Sequence, residues 1–285
     1  MKASLIITTL NEAGTIKPLL KSISEQSLLP SEIIIVDAGS NDGTRAIIKK
    51  FPKVKLINQP GLNRSQARNL GIKLAKNKII AVTDAGCRAD QHWLERLTKP
   101  FKDKQVLSVA GYYRPVTKTI FQKCVAPFVA VMPDKFRPEA YLPSSRSLAF
   151  GKGMAWYPEE LNYCEDLVFA RKLKKTGKMA VEPKALVYWQ IPASLGEFFT
   201  QVKNYAAGDV RAVYWPHLFR ITTVFGRYLV FLALPGLFLI YLLWPLIKHF
   251  RYVRHWQGLV YLPLLQLTAD AAVMTGSVFG IISRE

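Results

Sequence analysis

An α/β fold is what this sequence predicts: a mostly parallel sheet flanked by helices, followed by hydrophobic helices near the C-terminus. Three observations carry that prediction. Short β-rich runs alternate with helically spaced segments over the first hundred residues. Polar and acidic residues collect just after several of those runs. Near the C-terminus, two long stretches are almost free of charge.

The elements follow in order. Ser4–Thr9 is a short apolar run that enters a turn at Asn11-Glu12. Ala13–Gln26 puts Ile16, Leu19, Leu20 and Ile23 on one helical face. Glu32–Val36 reads as a buried strand, Asp42–Phe51 as a helix and Val54–Ile57 as a third strand. Ser65–Ala75 is helical, with Ala67, Leu70, Gly71 and Leu74 on one side. Ile79–Thr83 is a fourth strand, and His92–Leu97 begins another helix. Strands alternating with helices through short connections make a parallel sheet covered on both faces. Ligands of such sheets bind at the carboxyl ends of the strands. From about Gly111 to Gly151 the pattern weakens, and loops over a site are expected there. Glu165–Thr176 is a helix stopped by Gly177. Leu195–Ala207 is amphipathic. The expected division is a catalytic domain over 1–215 and a membrane-associated helical region over 216–285.

The chain has 285 residues, room for one large domain or a domain with an appendage. Its net charge of +19 suits phosphate-rich ligands or an anionic membrane face. There is no polybasic run, so nucleic acid is not expected as a partner. Cys87, Cys124 and Cys164 fit no zinc pattern, and a reducing cytoplasm is the expected setting. The apolar run after Lys2 is only Leu5-Ile6-Ile7, too short for a signal peptide. His92, His217, His249 and His255 are scattered and suggest no metal cluster.

Leu229–Ile247 contains no charged residue, and Gln257–Ser283 contains only Asp270. Each stretch is long enough to cross a bilayer as a helix. Trp244 and Trp256 lie beside the connector Lys248–His255, where interfacial aromatics belong. Cell-membrane attachment is expected, with the catalytic domain on the cytoplasmic side. Two spans would put Lys248, Arg251 and Arg254 on the far side, against the positive-inside tendency. Pro235-Gly236, Pro263 and Asp270 also interrupt the two stretches. A re-entrant or interfacial hairpin therefore stays open beside two spans.

Several blocks carry chemistry. In Ile33–Thr44, IIIVDAGSNDGT, a strand delivers Asp37 to the sheet edge, where its carboxylate can accept hydrogen bonds from a base or ribose. Ser40 and Asp42 then cap the next helix. On these residues alone an ordinary strand–turn–helix also remains open. Asn63–Ile72, NRSQARNLGI, sets Arg68 and Asn69 near a helix start. In Ala81–Leu94, Asp84 leaves a strand where a metal-bound diphosphate would sit. Glu165 and Asp166 open a helix. Acids there either offset the helix dipole or supply a catalytic base. Arg146, in LPSSRSLAF, has the fork geometry that binds phosphate.

In this order and spacing, the blocks resemble the family 2 glycosyltransferases from about Ser4 to Trp189. A dehydrogenase would need GxGxxG after the first strand, and Thr8–Gly14 lacks it. The resemblance implies a GT-A fold and a nucleotide-sugar donor, with UDP favoured. It also implies inverting transfer, and the apolar C-terminal pair implies a lipid-linked or membrane-delivered acceptor such as a polyprenyl phosphate or a nascent glycan. The donor pocket it implies contains Thr9, Asn11, Glu12, Asp37, Ser40, Arg68, Asp84 and Arg146. Asp37 would meet the base, and Asp84 the ribose and metal. Asp166 would be the base that takes the acceptor's proton, with Glu165 beside it. The second acid of the family's DxD is Gly86 here. Mg²⁺ or Mn²⁺ would then have Asp84, water, donor phosphates and a distant ligand such as Asp90. Gln201–Tyr205 falls where many relatives carry QxxRW, and Asn204 and Tyr205 replace Arg and Trp. That argues against a processive synthase. A polyprenyl-phosphate sugar synthase and a non-catalytic membrane scaffold, the latter motivated by Gly86, stay as alternatives.

Overall fold

The computed structural model describes residues 1–282. By contact density the chain divides into two compact units. The first comprises Met1–Arg114 and Arg137–Trp189, the second Pro115–Phe136 and Gln190 onward.

In the first unit, β1 (Ala3–Thr9), β2 (Glu32–Asp37), β3 (Val54–Asn58) and β4 (Ile79–Asp84) pair in parallel, in the order β3-β2-β1-β4. The register brings Thr9 level with Asp37, and Thr8 level with Asp84, at the same sheet end. Between them run α1 (Ile16–Ser24), α2 (Thr44–Ile48) and α3 (Arg64–Leu74). α3 begins with a capping box in which the Asn63 and Gln66 side chains each accept from the other's backbone N–H. The core is apolar: Ile6, Ile34, Val36, Ile80 and Val82 pack with Phe150 and Phe169. At about 25 cal/mol per Å² of buried apolar surface, each such side chain contributes about 1.5–3 kcal/mol.

The rest of the sheet departs from the expected parallel pattern. β5 (Cys87–Ala89), β6 (Val106–Val116), β7 (Leu148–Gly151) and β8 (Lys178–Gln190) extend it to eight strands, β3-β2-β1-β4-β7-β6-β8-β5. The pairs β4–β7, β6–β7 and β5–β8 are antiparallel, so the sheet is mixed. The Gly111–Gly151 stretch, expected as loops, therefore carries the end of one strand, all of another and a helix. β6 and β8 escape pattern reading because Gly111, Pro115 and Pro183 interrupt them. Gly111 is required by close approach: a Cβ there would lie 1.9 Å from Ser147 Oγ and 2.6 Å from the Ala185 carbonyl. α4 (Trp93–Thr98) and α6 (Glu165–Thr176) complete this unit, α6 with the bounds the sequence predicts.

The second unit is helical: α5 (Ile120–Val129), α7 (Leu195–Arg211), α8 (Trp215–Ala233), α9 (Gly236–Val253) and α10 (Gly258–Ile282). The apolar stretch Leu229–Ile247 is not one helix. It breaks at Leu234-Pro235 between α8 and α9, because proline lacks the N–H that would continue the ladder. Among the described residues one helix, α10, is long and apolar enough to cross a membrane. Ser283, the last residue of the second predicted stretch, lies outside the described residues.

Candidate active site

The carboxyl ends of β1, β2 and β4 gather two clusters of the predicted residues. The first is a closed hydrogen-bond set around Asp37, which is fully buried. Its Oδ2 accepts from Thr9 Oγ1 at 2.9 Å and Ser40 Oγ at 2.5 Å. Its Oδ1 accepts from the backbone N–H of Ser40 at 2.9 Å and of Gly39 at 3.2 Å. With four donors on its two oxygens, this carboxylate braces the turn after β2. Asn11, in a left-handed backbone conformation (φ 57°), locks to the same turn. Its N–H donates to Ser40 Oγ at 2.8 Å and its Oδ1 accepts from the Asn41 N–H at 3.0 Å. Glu12 N–H donates to Thr44 Oγ1 at 2.8 Å. Two loops from two strands are thus tied into one edge.

The second cluster is ionic. Arg68, buried on α3, reaches Glu165 Oε1 at 2.6 Å with one nitrogen and Asp84 Oδ1 at 2.8 Å with the other. Its guanidinium lies 5.1 Å from the Tyr157 ring centroid. Burial opposes its charge, but Asp84 and Glu165 outweigh that cost and raise its pKa. Arg146 approaches the other oxygen of Asp84 at 4.0 Å and stacks over Trp189 at 3.8 Å and Tyr113 at 5.0 Å. Burial would lift the Asp84 carboxyl, yet Arg68, Arg146 and Arg64 together hold it below the usual range. The clusters meet at Glu12, whose pKa is raised by burial and by the charge of Asp84, against a hydrogen bond from Thr15.

Asp166 stands apart within this second cluster. Burial first, and then the adjacent Glu165 charge, push its carboxyl up to about 6, against the pull of Arg146 and Arg68. Glu165 is neutralised by Arg68, whereas Asp166 has no ion pair this close among the described residues. Two neighbouring acids in one helical turn are thus set in different states, one paired and one poised to exchange a proton near neutral pH.

The segment before α6 is held by α3. Asn69 Nδ2 donates to the Tyr157 carbonyl and its Oδ1 accepts from the Tyr157 N–H, both at 2.9 Å. Ser65 Oγ donates to the Leu161 carbonyl at 2.7 Å, and Arg64 lies over the Tyr163 ring at 5.1 Å. Cys164, in a left-handed conformation (φ 65°), turns the chain into α6. In the sequence Asn69 stands in a motif without a task, and Arg64, Tyr113, Tyr157 and Trp189 carry no signal of a site role. Nothing in their spacing marks them, since they come from α3, β6, a loop and β8.

A divalent ion finds little here from the chain itself. Both Asp84 oxygens face guanidinium groups, and position 86 has no carboxylate. Among the described residues no group of three His, Cys, Asp or Glu could hold a metal. The residues present therefore do not form a protein-built metal cage.

A mixed sheet with an acidic, arginine-rich edge at its parallel strand ends defines a GT-A-type α/β domain. Solved structures agree on the fold. The mannosyltransferase PcManGT from Pyrobaculum calidifontis, in complex with GDP-Man and Mn²⁺, is similar over 100% of this chain and 88% of its own, with a TM-score of 0.67 and 17% identity. S. aureus TarS 1-349 in complex with UDP is similar over 72% of this chain and 64% of its own, with a TM-score of 0.54 and 21% identity. Residues 4–142 match the model of the family described as glycosyl transferase family 2. Among curated relatives, glycosyltransferase AglE of Haloferax volcanii is 36% identical over 100 residues, 33% of each chain. The O-antigen chain rhamnosyltransferase RfbN of Salmonella typhimurium is 31% identical over 120 residues, 40% of this chain and 38% of its own. The matches thus span about a third of the length of these relatives.

Proposed function

We propose that this chain transfers a sugar from a nucleotide-sugar donor to a lipid-linked or membrane-delivered acceptor, with inversion at the anomeric carbon. The observation that carries the reading is the placement of Asp166 in the first turn of α6, beside a Glu165 that Arg68 pairs at 2.6 Å, with burial raising the Asp166 carboxyl. The acceptor hydroxyl attacks the anomeric carbon and gives its proton to the Asp166 carboxylate. A bond forms from the acceptor oxygen to that carbon as the bond to the departing diphosphate breaks. A base whose pKa lies just below the operating pH is ionised and still basic enough to take a proton. The negative charge released on the diphosphate meets Arg146 and Arg64, which are already in place before reaction.

Thr9, Asp37 and Ser40 act in this reading by shaping the nucleotide edge, and Asn11 and Glu12 line it. Arg68 and Glu165 position Asp84 and Asp166. A UDP-type donor is favoured. The solved neighbours were captured with UDP in one case and GDP-Man in another. Mg²⁺ or Mn²⁺ would have to bring most of its coordination from the donor diphosphate and water, with Asp84 the one protein ligand. Exposed apolar side chains on the helical unit, Trp215, Leu232 and Ile247 among them, support attachment to a membrane.

The test is turnover of a panel of UDP- and GDP-sugars by the purified full chain in detergent, with and without Mg²⁺ or Mn²⁺. Asp84→Ala and Asp166→Asn are run beside it. Turnover of one donor, lost in both variants, is the expected result. Donor bound without turnover, even with polyprenyl-linked acceptors added, would favour a scaffold. A nearly silent Asp166→Asn would favour a phosphate acceptor, which needs no strong base.

A further inference from the structure

The helical unit contains a hairpin whose character changes along its length. α8 and α9 run antiparallel from the break at Leu234-Pro235. Nearest the tip, Phe231 meets Phe238 at 5.6 Å and Tyr241 at 5.2 Å. One turn further, Arg227 lies over Tyr241 at 4.7 Å. Two turns further again, Arg220 of α8 and Lys248 of α9 carry like charges at the same end of the hairpin, close enough with Lys135 and Arg227 for their fields to act on Lys248. Spacings of seven, 220 to 227 and 241 to 248, keep these residues on one face of each helix. Lys135 is brought there by its neighbour Asp134, which pairs with Arg251 and accepts from Tyr252 Oη at 2.9 Å. No acid among the described residues pairs with Lys135, Arg220 or Lys248.

The tip is the opposite. Leu229, Val230, Leu232, Leu234, Leu239 and Ile240 are all exposed there, Leu232 to 83%. Between tip and base sits one polar knot. Asp270 of α10 accepts from Tyr241 Oη at 2.5 Å, Tyr228 Oη at 3.2 Å and Gln266 Nε2 at 3.1 Å, with Arg227 3.7 Å away. Both carboxylate oxygens of Asp270 are thus met from within the protein, as a site shielded from water requires.

Length then selects the geometry. At about 1.5 Å per residue, Lys248 lies about 20 Å along α9 from Pro235. Half a bilayer, headgroups included, is about 20–22 Å. A tip at the mid-plane thus sets Arg220 and Lys248 level with lipid phosphates. α10, among the described residues the one helix both long and apolar enough to span, packs on a charged helix instead. A Cβ at its Gly276 would lie 2.1 Å from the Lys203 carbonyl of α7, and one at Gly280 2.8 Å from that of Ala207. α7 carries Glu197, Lys203, Asp209 and Arg211, which a bilayer core would not accommodate cheaply.

We propose that the α8–α9 hairpin enters one leaflet tip first, and that Arg220, Lys248 and Lys135 at its base bind the phosphates of anionic phospholipids. Both ends of the hairpin then stay on the side of entry, unlike the ends of a span over Leu229–Ile247. The inference rests on the membrane reading above, and its test separates the two. Single cysteines replace Trp215, Leu234 or Trp256 in the full chain in sealed membrane vesicles, against the parental cysteine background. A membrane-impermeant maleimide should reach positions 215 and 256 from the same face and position 234 from neither. Labelling of 215 and 256 from opposite faces overturns the hairpin while leaving attachment intact. Loss of the chain from vesicles on washing overturns attachment itself. Separately, the purified chain is bound to vesicles of phosphatidylcholine alone or mixed with phosphatidylglycerol. Arg220→Glu with Lys248→Glu should weaken binding to the anionic vesicles about tenfold or more, and spare neutral ones. An equal effect on both vesicles, or none on either, overturns the phosphate contact.

Discussion

Each unit of this chain buries an arginine–carboxylate cluster in its middle, and the two clusters differ in what they leave unfinished. Around Asp270, two tyrosines, a glutamine and Arg227 meet both carboxylate oxygens, and no acid is left over. Around Arg68, two acids are paired while a third, Asp166, is held near its titration point. The first arrangement can only hold helices together. The second leaves one carboxyl raised and without an ion pair this close among the described residues, the arrangement that the proposed function uses. Residue type is similar in both, so the clusters differ in how far their charges are satisfied and not in which charges are present.

That contrast can be broken at four points, in falling order of effect. Asp166→Asn should lower transfer about a hundredfold or more, measured as kcat with donor saturating. The same variant should raise the melting temperature at pH 7. A carboxyl lifted from 3.8 to about 6 contributes fully to stability below the lower value, and that contribution is lost as pH rises through the higher one. The neutral amide never suffers this loss, so the gain should vanish in melts near pH 4. A drop in melting temperature at pH 7 would remove the poised-base reading. Next, Arg68→Ala should cost about 3–5 kcal/mol by denaturant titration, because it leaves the buried Glu165 with only the half-exposed Arg64 at 4.0 Å. The matching change in the finished cluster, Asp270→Ala, should cost about 1–3 kcal/mol and leave donor binding unchanged. Equal costs would mean that the clusters do the same work. Last, Gly86→Asp tests the missing acid. A Cβ at Gly86 meets nothing within 4 Å, so stability should stay within about 0.5 kcal/mol. The Mg²⁺ or Mn²⁺ concentration giving half-maximal turnover should fall. The pH profile sharpens the first point: kcat should lose activity on the acid side of about 6, since the active base is the ionised form.

Legibility in the sequence divides along physical lines. β1, β2 and β4 are apolar runs buried on both faces, so hydrophobic continuity marks them. α6 is marked at both ends, by acids in its first turn and Gly177 after its last. β8 is not marked, because Lys178, Lys184 and Pro183 sit within a strand that is only partly buried. The site follows the same rule. Asp37, Asp84, Glu165 and Asp166 stand at helix starts or strand ends, and Arg68 one turn into α3, where a polar residue against an apolar pattern is conspicuous. Tyr113, Tyr157 and Trp189 look like ordinary core aromatics in sequence, and only their placement over Arg146 or Arg68 gives them a task.

The sequence by itself determined the alternation of strands and helices, the acids at the sheet edge and an apolar C-terminal region. These depend on near neighbours in the chain, where periodicity and capping act. Tertiary structure decided which acid is paired and which is poised, since that turns on Arg68 reaching Glu165 and Asp84 from 97 and 16 residues away. It also decided that Leu229–Ile247 folds back on itself, because the break at Pro235 becomes a hairpin only when Phe231 finds Phe238 and Tyr241. Both outcomes are set by contacts across space, which hydropathy along the chain does not record.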